Sequence, residues 1–274
     1  MVGKKNVVDN TLKETNFIKN RIGKKVLQQY NREVPSGSYI SKSRLLWTIV
    51  SRNLSDVERR GIDAKLRFFD KHLSDYEFVR QNPTRENILN KRVANCGELA
   101  DSAMDLFPTD RHLMRANITV NVPKAKLLDK GIPVSNTDGK DTVPLQHVFL
   151  MYHDKPNDTL LNVLNLYNPN SFAVDIWRGE TKQSANLIMQ HLREAGVSEA
   201  TMTVSFPRNN SDKQYHYYIS SDGTIRLLNP PENPGKNEIA KYLDFRPEKQ
   251  EKPKEITKKK QKDIIGIMYL PNAR

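Results

Sequence analysis

Between Ser41 and Phe107 the apolar residues return every three or four positions, whereas from Ala116 onward they alternate with polar ones. The change falls at Pro108, which cannot continue a helix. A hydrophobic period that switches once, from helical to extended, predicts helices followed by strands. The expected class is therefore α+β, with a helical N-terminal part packed on an antiparallel sheet. In "SKSRLLWTIVSRNL" the apolar face is Leu45, Leu46, Ile49, Val50 and Leu54, with Ser41 or Ser43 as N-cap. In "LSDVERRGIDAKLRFFDKHLSDYEFVRQ" the cap is Ser55 or Asp56, and Leu66, Phe68, Phe69, Leu73 and Phe78 are the apolar set. Asn82 and Pro83 then break the pattern through "QNPTRENILNKRVA", before a helix expected from about Cys96 to Phe107.

Beyond Pro108, Ala116 to Val122 alternates as a half-buried strand does. "QHVFLMYHD" places His147, Phe149 and Met151 on one face and Val148, Leu150 and Tyr152 on the other, and Ser171 to Trp177 makes a third strand. "GETKQSANLIMQHLREAG" predicts a helix with Leu187, Ile188, His191 and Leu192 on its inner side and Gly196 as its stop. "TMTVSF", "QYHYYIS" and "TIRLLN" are strand-like, and Asp222-Gly223 suits the hairpin between the last two.

Residues 1–38 are polar and lysine-rich and end in "REVPSGSY", which predicts a basic arm ahead of one folded domain over 39–245. Residues 246–274 comprise a basic linker, too poor in apolar groups to fold by itself, and the apolar segment "IIGIMYLPNAR", a returning strand or a partner-binding element. The net charge of +12 favours anionic partners. It leaves open a non-enzymatic protein that binds nucleic acid or an anionic membrane through Lys249, Lys252, Lys254, Lys258, Lys259, Lys260 and Lys262. Tyr215, Tyr217 and Tyr218 would then stack bases, or else pack the sheet. A single cysteine excludes an internal disulfide and points to a reducing compartment. No apolar run is long enough to span a bilayer, and the N-terminus lacks the apolar core of a secretory signal. A soluble protein is expected.

The cysteine carries the chemistry. Asn95 followed by Glu98 fits a capping box, which puts Cys96 at N1 of its helix, where unpaired N–H groups and the positive dipole end favour a thiolate. The amides of Cys96 and Gly97 are natural oxyanion donors, Gly97 leaves room for a substrate, and the side-chain donor is open among Gln81, Asn95 and Gln146. The bland reading is a small hydrophobe packed in a core. A thiolate needs a base. Of six histidines, His72 and His191 fall in helical patterns, His112 follows a helix stop and His216 sits among tyrosines. His147, at the entrance of a strand, is the leading candidate and His153 its rival. Asp175, the one charge in "FAVDIW", needs a buried partner, and accepting a proton from Nδ1 of His147 would supply one. The other reading of Asp175 is an edge residue facing water.

Asn95-Cys96-Gly97-Glu98 opening a helix, His147-Val148-Phe149 on a strand and Val174-Asp175-Ile176-Trp177 on the next resemble the Cys-His-Asp layout of papain-like and transglutaminase-like cysteine enzymes. Bacterial effector and toxin domains with an "NCGE" nucleophile motif are the nearest in pattern. The likeness spans Arg92 to Gly179, with "DIW" where the family often has "DPW". It implies that 39–245 is a catalytic domain that transfers an acyl group from a peptide or carboxamide through a thioester, as a protease, glutamine deamidase or transglutaminase. It implies no metal or organic cofactor, a host protein as substrate, Trp177 as a substrate-binding candidate, and delivery into a host cell by a specialised secretion system.

Overall fold

The computed structural model describes residues 23–107, 113–134, 139–153, 171–205 and 214–228. The helices α1 (residues 23–33), α2 (Lys42–Ser51), α3 (Asp56–Lys71), α4 (Leu73–Gln81), α5 (Arg85–Lys91) and α6 (Cys96–Asp105) all precede the strand β1 (Leu113–Pro123). Next come α7 (Lys124–Asp129), β2 (Thr142–His153), β3 (Ser171–Asp175), β4 (Glu180–Gln183) and α8 (Ser184–Ala195). The strands β5 (Glu199–Ser205), β6 (Gln214–Ser220) and β7 (Ile225–Leu227) complete the described elements. The strands form one antiparallel sheet in the order β4-β3-β2-β1-β5-β6-β7. The architecture is α+β, with six of the eight described helices ahead of the sheet.

Register decides which side chains share a face. Ile118 lies opposite His147 on one side and Met202 on the other, and Met202 lies opposite Tyr217. Met151 lies opposite Ala173, so Asp175 projects from this same face. Met114, Ala116, Ile118, Val120, Phe149, Met202, Val204 and Tyr217 make it the buried face. Over it lie α2 and α8, whose Trp47 and His191 rings touch the ring of His147. Arg115 faces the other way, and its ion pair with Asp101 puts α6 on the opposite face. α6 and the imidazole of His147 therefore approach from two sides of the sheet.

Several elements depart from the sequence reading. Residues 23–33 do not belong to a polar arm: Val26, Leu27, Tyr30 and Val34 are buried in the main core, and Tyr30 shares a hydrogen bond of 3.1 Å with Ser102 of α6. Their lysines face outward, so composition hid an amphipathic helix. α5 occupies the stretch read as broken, because Thr84 caps it through the Asn87 N–H and only Ile88 is buried. α7 and β4 are too short, and β4 too polar, to show a period. β2 begins at Thr142, so His147 is in mid-strand and not at its entrance, and β3 stops at Asp175, short of Trp177. No helix among the described residues is long and apolar enough to cross a membrane.

The Tyr30 hydroxyl offers a contained test of α1. Tyr30→Phe keeps the ring and removes the bond to Ser102, and is expected to lower stability by about 1 kcal/mol in urea unfolding without changing the slope. A loss near zero would mean that the hydroxyl is solvated.

Candidate active site

Cys96 is the first residue of α6, with Asn95 in extended N-cap geometry. Glu98 accepts the Asn95 N–H at 2.9 Å, the half of the capping box that fastens the helix start. The Asn95 carboxamide oxygen is spent elsewhere. It accepts the Ser43 N–H at 3.0 Å and the Ser41 hydroxyl at 3.2 Å, so it ties the N-terminus of α2 to that of α6. Cys96 is 6% exposed.

Burial alone would raise the thiol, but the hydrogen bond and charge of His147, the Val148 N–H and the Ser43 hydroxyl outweigh it and leave Cys96 below its ordinary value. The Ser43 hydroxyl lies 3.9 Å from the sulfur. Val148 can donate because β2–β3 pairing ends at Leu150–Val174, leaving the next N–H on that edge without a strand partner. The break in the ladder is the place where sulfur enters.

His147 and Asp175 are both fully buried, and Nε2 of His147 lies 2.9 Å from Oδ2 of Asp175. This corrects the expected use of Nδ1 for the acid: Nδ1 makes no other hydrogen bond within the protein, and the imidazole meets the thiol directly. Burial opposes the imidazolium, yet the charge and hydrogen bond of Asp175, joined by Cys96, push His147 up to about 9. A thiol held low beside an imidazole held high favours the thiolate–imidazolium pair over the neutral one. Trp177 packs its ring 4.2 Å from that of His147, centroid to centroid, and is buried, so it walls the imidazole and offers no open surface.

Behind Cys96, His147 and Asp175 lies a polar network that sequence reasoning missed. The Gly179 backbone, at φ +69°, closes the turn after β3 and brings Arg178 back onto Asp175. The Arg178 N–H donates to Oδ1 at 3.1 Å, and its Nε lies 3.3 Å from Oδ2. The guanidinium grips Glu194 of α8 with both ends, at 3.0 and 2.6 Å, and Glu194 also accepts from Trp47 Nε1 at 2.8 Å and Gln190 at 2.7 Å. Burial resists the Glu194 charge, but the bonds from Arg178, Trp47 and Gln190 hold its carboxyl down at about 2. Arg178 could have been suspected from its place one turn past an acid; Glu194 and Trp47 carry no local signal.

His191 is the remaining ring of the cluster, buried and 4.6 Å from that of His147. It lies on the inner side of α8 with Leu187, Ile188 and Leu192, as the helical pattern predicts. Burial, then the positive charges of His147, Arg178 and Lys182, keep it neutral, far below the usual histidine value. Together His147, Asp175 and His191 offer ligand atoms within 4.8 Å of one another. Arg178 already supplies a cation there, 3.3 Å from Oδ2 of Asp175 and 3.4 Å from Nδ1 of His191, and a divalent ion would have to displace it from both.

The other sequence candidates fall as follows. Gln146 is exposed and projects from the face opposite His147, and Gln81 is exposed at the end of α4. The space beside Gly97 is taken by Arg115, whose Nη2 sits 3.3 Å from where a Cβ would be. His72 bonds the Phe68 carbonyl, and His216 shares a hydrogen bond with Thr203. Tyr217 is buried in the core and Tyr215 packs against it, which leaves no stacking platform of three tyrosines. His153 closes β2. His112 and the lysines of residues 249–262 lie outside the described residues.

Compared with known proteins, the chain matches no family model, and searches of curated proteins and of solved structures return no significant match.

Proposed function

We propose that this chain is a cysteine-dependent acyl-transfer enzyme of papain-like or transglutaminase-like type, acting on a protein substrate. The observation that carries the reading is the continuous path from the Cys96 thiol, at the start of α6, through His147 to Asp175, with Nε2 and Oδ2 2.9 Å apart. In the first half-reaction Sγ bonds to the carbonyl carbon of a peptide or carboxamide while the π electrons move to oxygen. Collapse breaks the C–N bond, the nitrogen departs with the proton carried by His147, and a thioester remains. Neutral His147 then deprotonates water, giving cleavage or deamidation, or a primary amine, giving transamidation. Asp175 holds the imidazole in place and stabilises its charged form. The chemistry requires no metal or organic cofactor. A role as a translocated bacterial effector on host proteins follows from the motif resemblance.

The test is a mass-spectrometric comparison of cell proteins exposed to the full chain and to Cys96→Ala. A cleavage, a deamidated glutamine or a crosslink present only with the wild type identifies the reaction and its acceptor. Identical spectra, with the wild-type thiol unreactive in the folded chain, would sink the proposal.

A further inference from the structure

The backbone runs just ahead of α2 and α6 lie side by side. Ile40 and Val93 form a parallel bridge: the Ile40 N–H donates to the Arg92 carbonyl at 2.8 Å, and the Ala94 N–H donates to the Ile40 carbonyl at 3.1 Å. From that bridge each segment advances the same number of residues, one to Ser43 and the other to Cys96. The Asn95 carboxamide oxygen then fastens the two helix starts together through the Ser43 N–H and the Ser41 hydroxyl. Ser41 is the N-cap of α2, its side chain accepting the Arg44 N–H, and the Ser43 hydroxyl stands between the Ser41 hydroxyl, at 3.2 Å, and the sulfur, at 3.9 Å.

From this geometry we infer that Ser43 is a catalytic residue, the side-chain oxyanion donor of the thioester chemistry, acting with the Cys96 backbone N–H. The inference rests on the acyl-transfer reading above. The oxygen of a carbonyl attacked by Sγ must find its donors beside the sulfur, and the Ser43 hydroxyl stands there. A donor must lie about 3 Å from that oxygen to stabilise its developing charge. The Cys96 N–H lies in the first turn of α6, where amides have no intrahelical acceptor, and supplies the second bond. The positive ends of α2 and α6 converge on the same spot, which adds to the stabilisation of an oxyanion. The side chains proposed from sequence are engaged or turned away: the Asn95 carboxamide is held by its oxygen on α2 and bonds Tyr76, and Gln146 points off the opposite face. In the forward step, electrons from the C=O bond move onto oxygen, Ser43 donates a hydrogen bond without losing its proton, and collapse returns those electrons as the C–N bond breaks.

Two probes of Cys96 in the full-length chain separate this role from help given to the thiolate. Iodoacetamide alkylates sulfur by displacement and forms no oxyanion; 4-nitrophenyl acetate acylates it through one. Ser43→Ala is expected to slow acylation about 100-fold while alkylation changes less than about 3-fold. Ser43→Thr, which keeps a hydroxyl, is expected to restore acylation to within about 10-fold of wild type and covers the case in which the alanine variant unfolds. Equal loss with both probes would make Ser43 a thiolate stabiliser and overturn the inference, as would no loss with either. If Cys96 of the folded wild type reacts with neither probe, the failure belongs to the acyl-transfer reading itself.

Discussion

Replacing His147 by alanine is expected to slow iodoacetamide labelling of Cys96 at neutral pH about 100-fold and to abolish acyl transfer, a loss of at least about 10⁴-fold. The cause is the balance at the sulfur. Cys96 is buried, and burial by itself raises a thiol; what reverses the direction is first the hydrogen bond and charge of His147, and only then Val148 and Ser43. Without the imidazolium the thiol moves above its ordinary value of about 8.5, and the thiolate fraction near pH 7 falls to a few per cent or less. Arg178 still neutralises Asp175 in the variant, so the acid is not stranded and the fold survives. The wild-type profile follows from the same pair. Labelling is expected to rise at lower pH than for an ordinary thiol, because the hydrogen bond and charge of His147 favour the thiolate. Acyl transfer also needs the imidazolium proton for the leaving group, so its rate falls as pH rises through about 9. Labelling rates that coincide in wild type and His147→Ala across pH 5 to 10 would show that the thiol owes nothing to the histidine.

The residues that were legible from sequence are those whose local pattern is awkward without a function. Asn95 and Glu98 frame Cys96 as a helix start, and α6 begins there. Asp175 is the one charge in an apolar strand, and such a group must find a partner; it has His147 and Arg178. The helical-then-alternating period marks α8 and β1, because each buries one consistent face. What escaped is whatever depends on two distant segments meeting. Ser43 looks like a possible helix cap until Ile40 is seen bridged to Val93. Glu194 looks like a solvent-facing charge near a helix end until Arg178 is seen returning over the Gly179 turn. Which imidazole nitrogen meets the acid is likewise invisible in sequence, because it depends on how β2 and β3 face each other. α1 escaped for a different reason: its lysines dominate composition, while its few apolar residues do the packing.

Glu194→Gln tests the layer behind the triad, and its effect is expected to be large and pH-dependent. The side chains of Arg178 and Glu194 are 18% and 23% exposed, and their contact is bidentate, so solvent screens the pair much less than an exposed one. An ordinary glutamate titrates near 4.5, whereas Glu194 in the fold is held at about 2. A carboxyl depressed in this way contributes its stability above the unfolded value and loses it as pH falls through the folded one. The difference corresponds to about 3 kcal/mol at neutral pH, lost between about pH 4.5 and 2. Glutamine keeps the shape and an acceptor but removes the charge, so at pH 7 the variant is expected to melt about 5–10 °C lower. The gap between variant and wild type closes as both are acidified. The triad feels the same change. Arg178, no longer neutralised by Glu194, is left to Asp175 and the charge of Glu180, and its Nε already lies 3.3 Å from the oxygen that Nε2 of His147 uses. Competition for that oxygen weakens the hold on the imidazolium, and the alkaline limb of acyl transfer moves below about 9. A melting difference that stays constant from pH 7 to 3 would mean that the charge of Glu194 contributes nothing. An unmoved alkaline limb would separate the Arg178–Glu194 pair from the chemistry and leave it a purely structural clasp between β3 and α8.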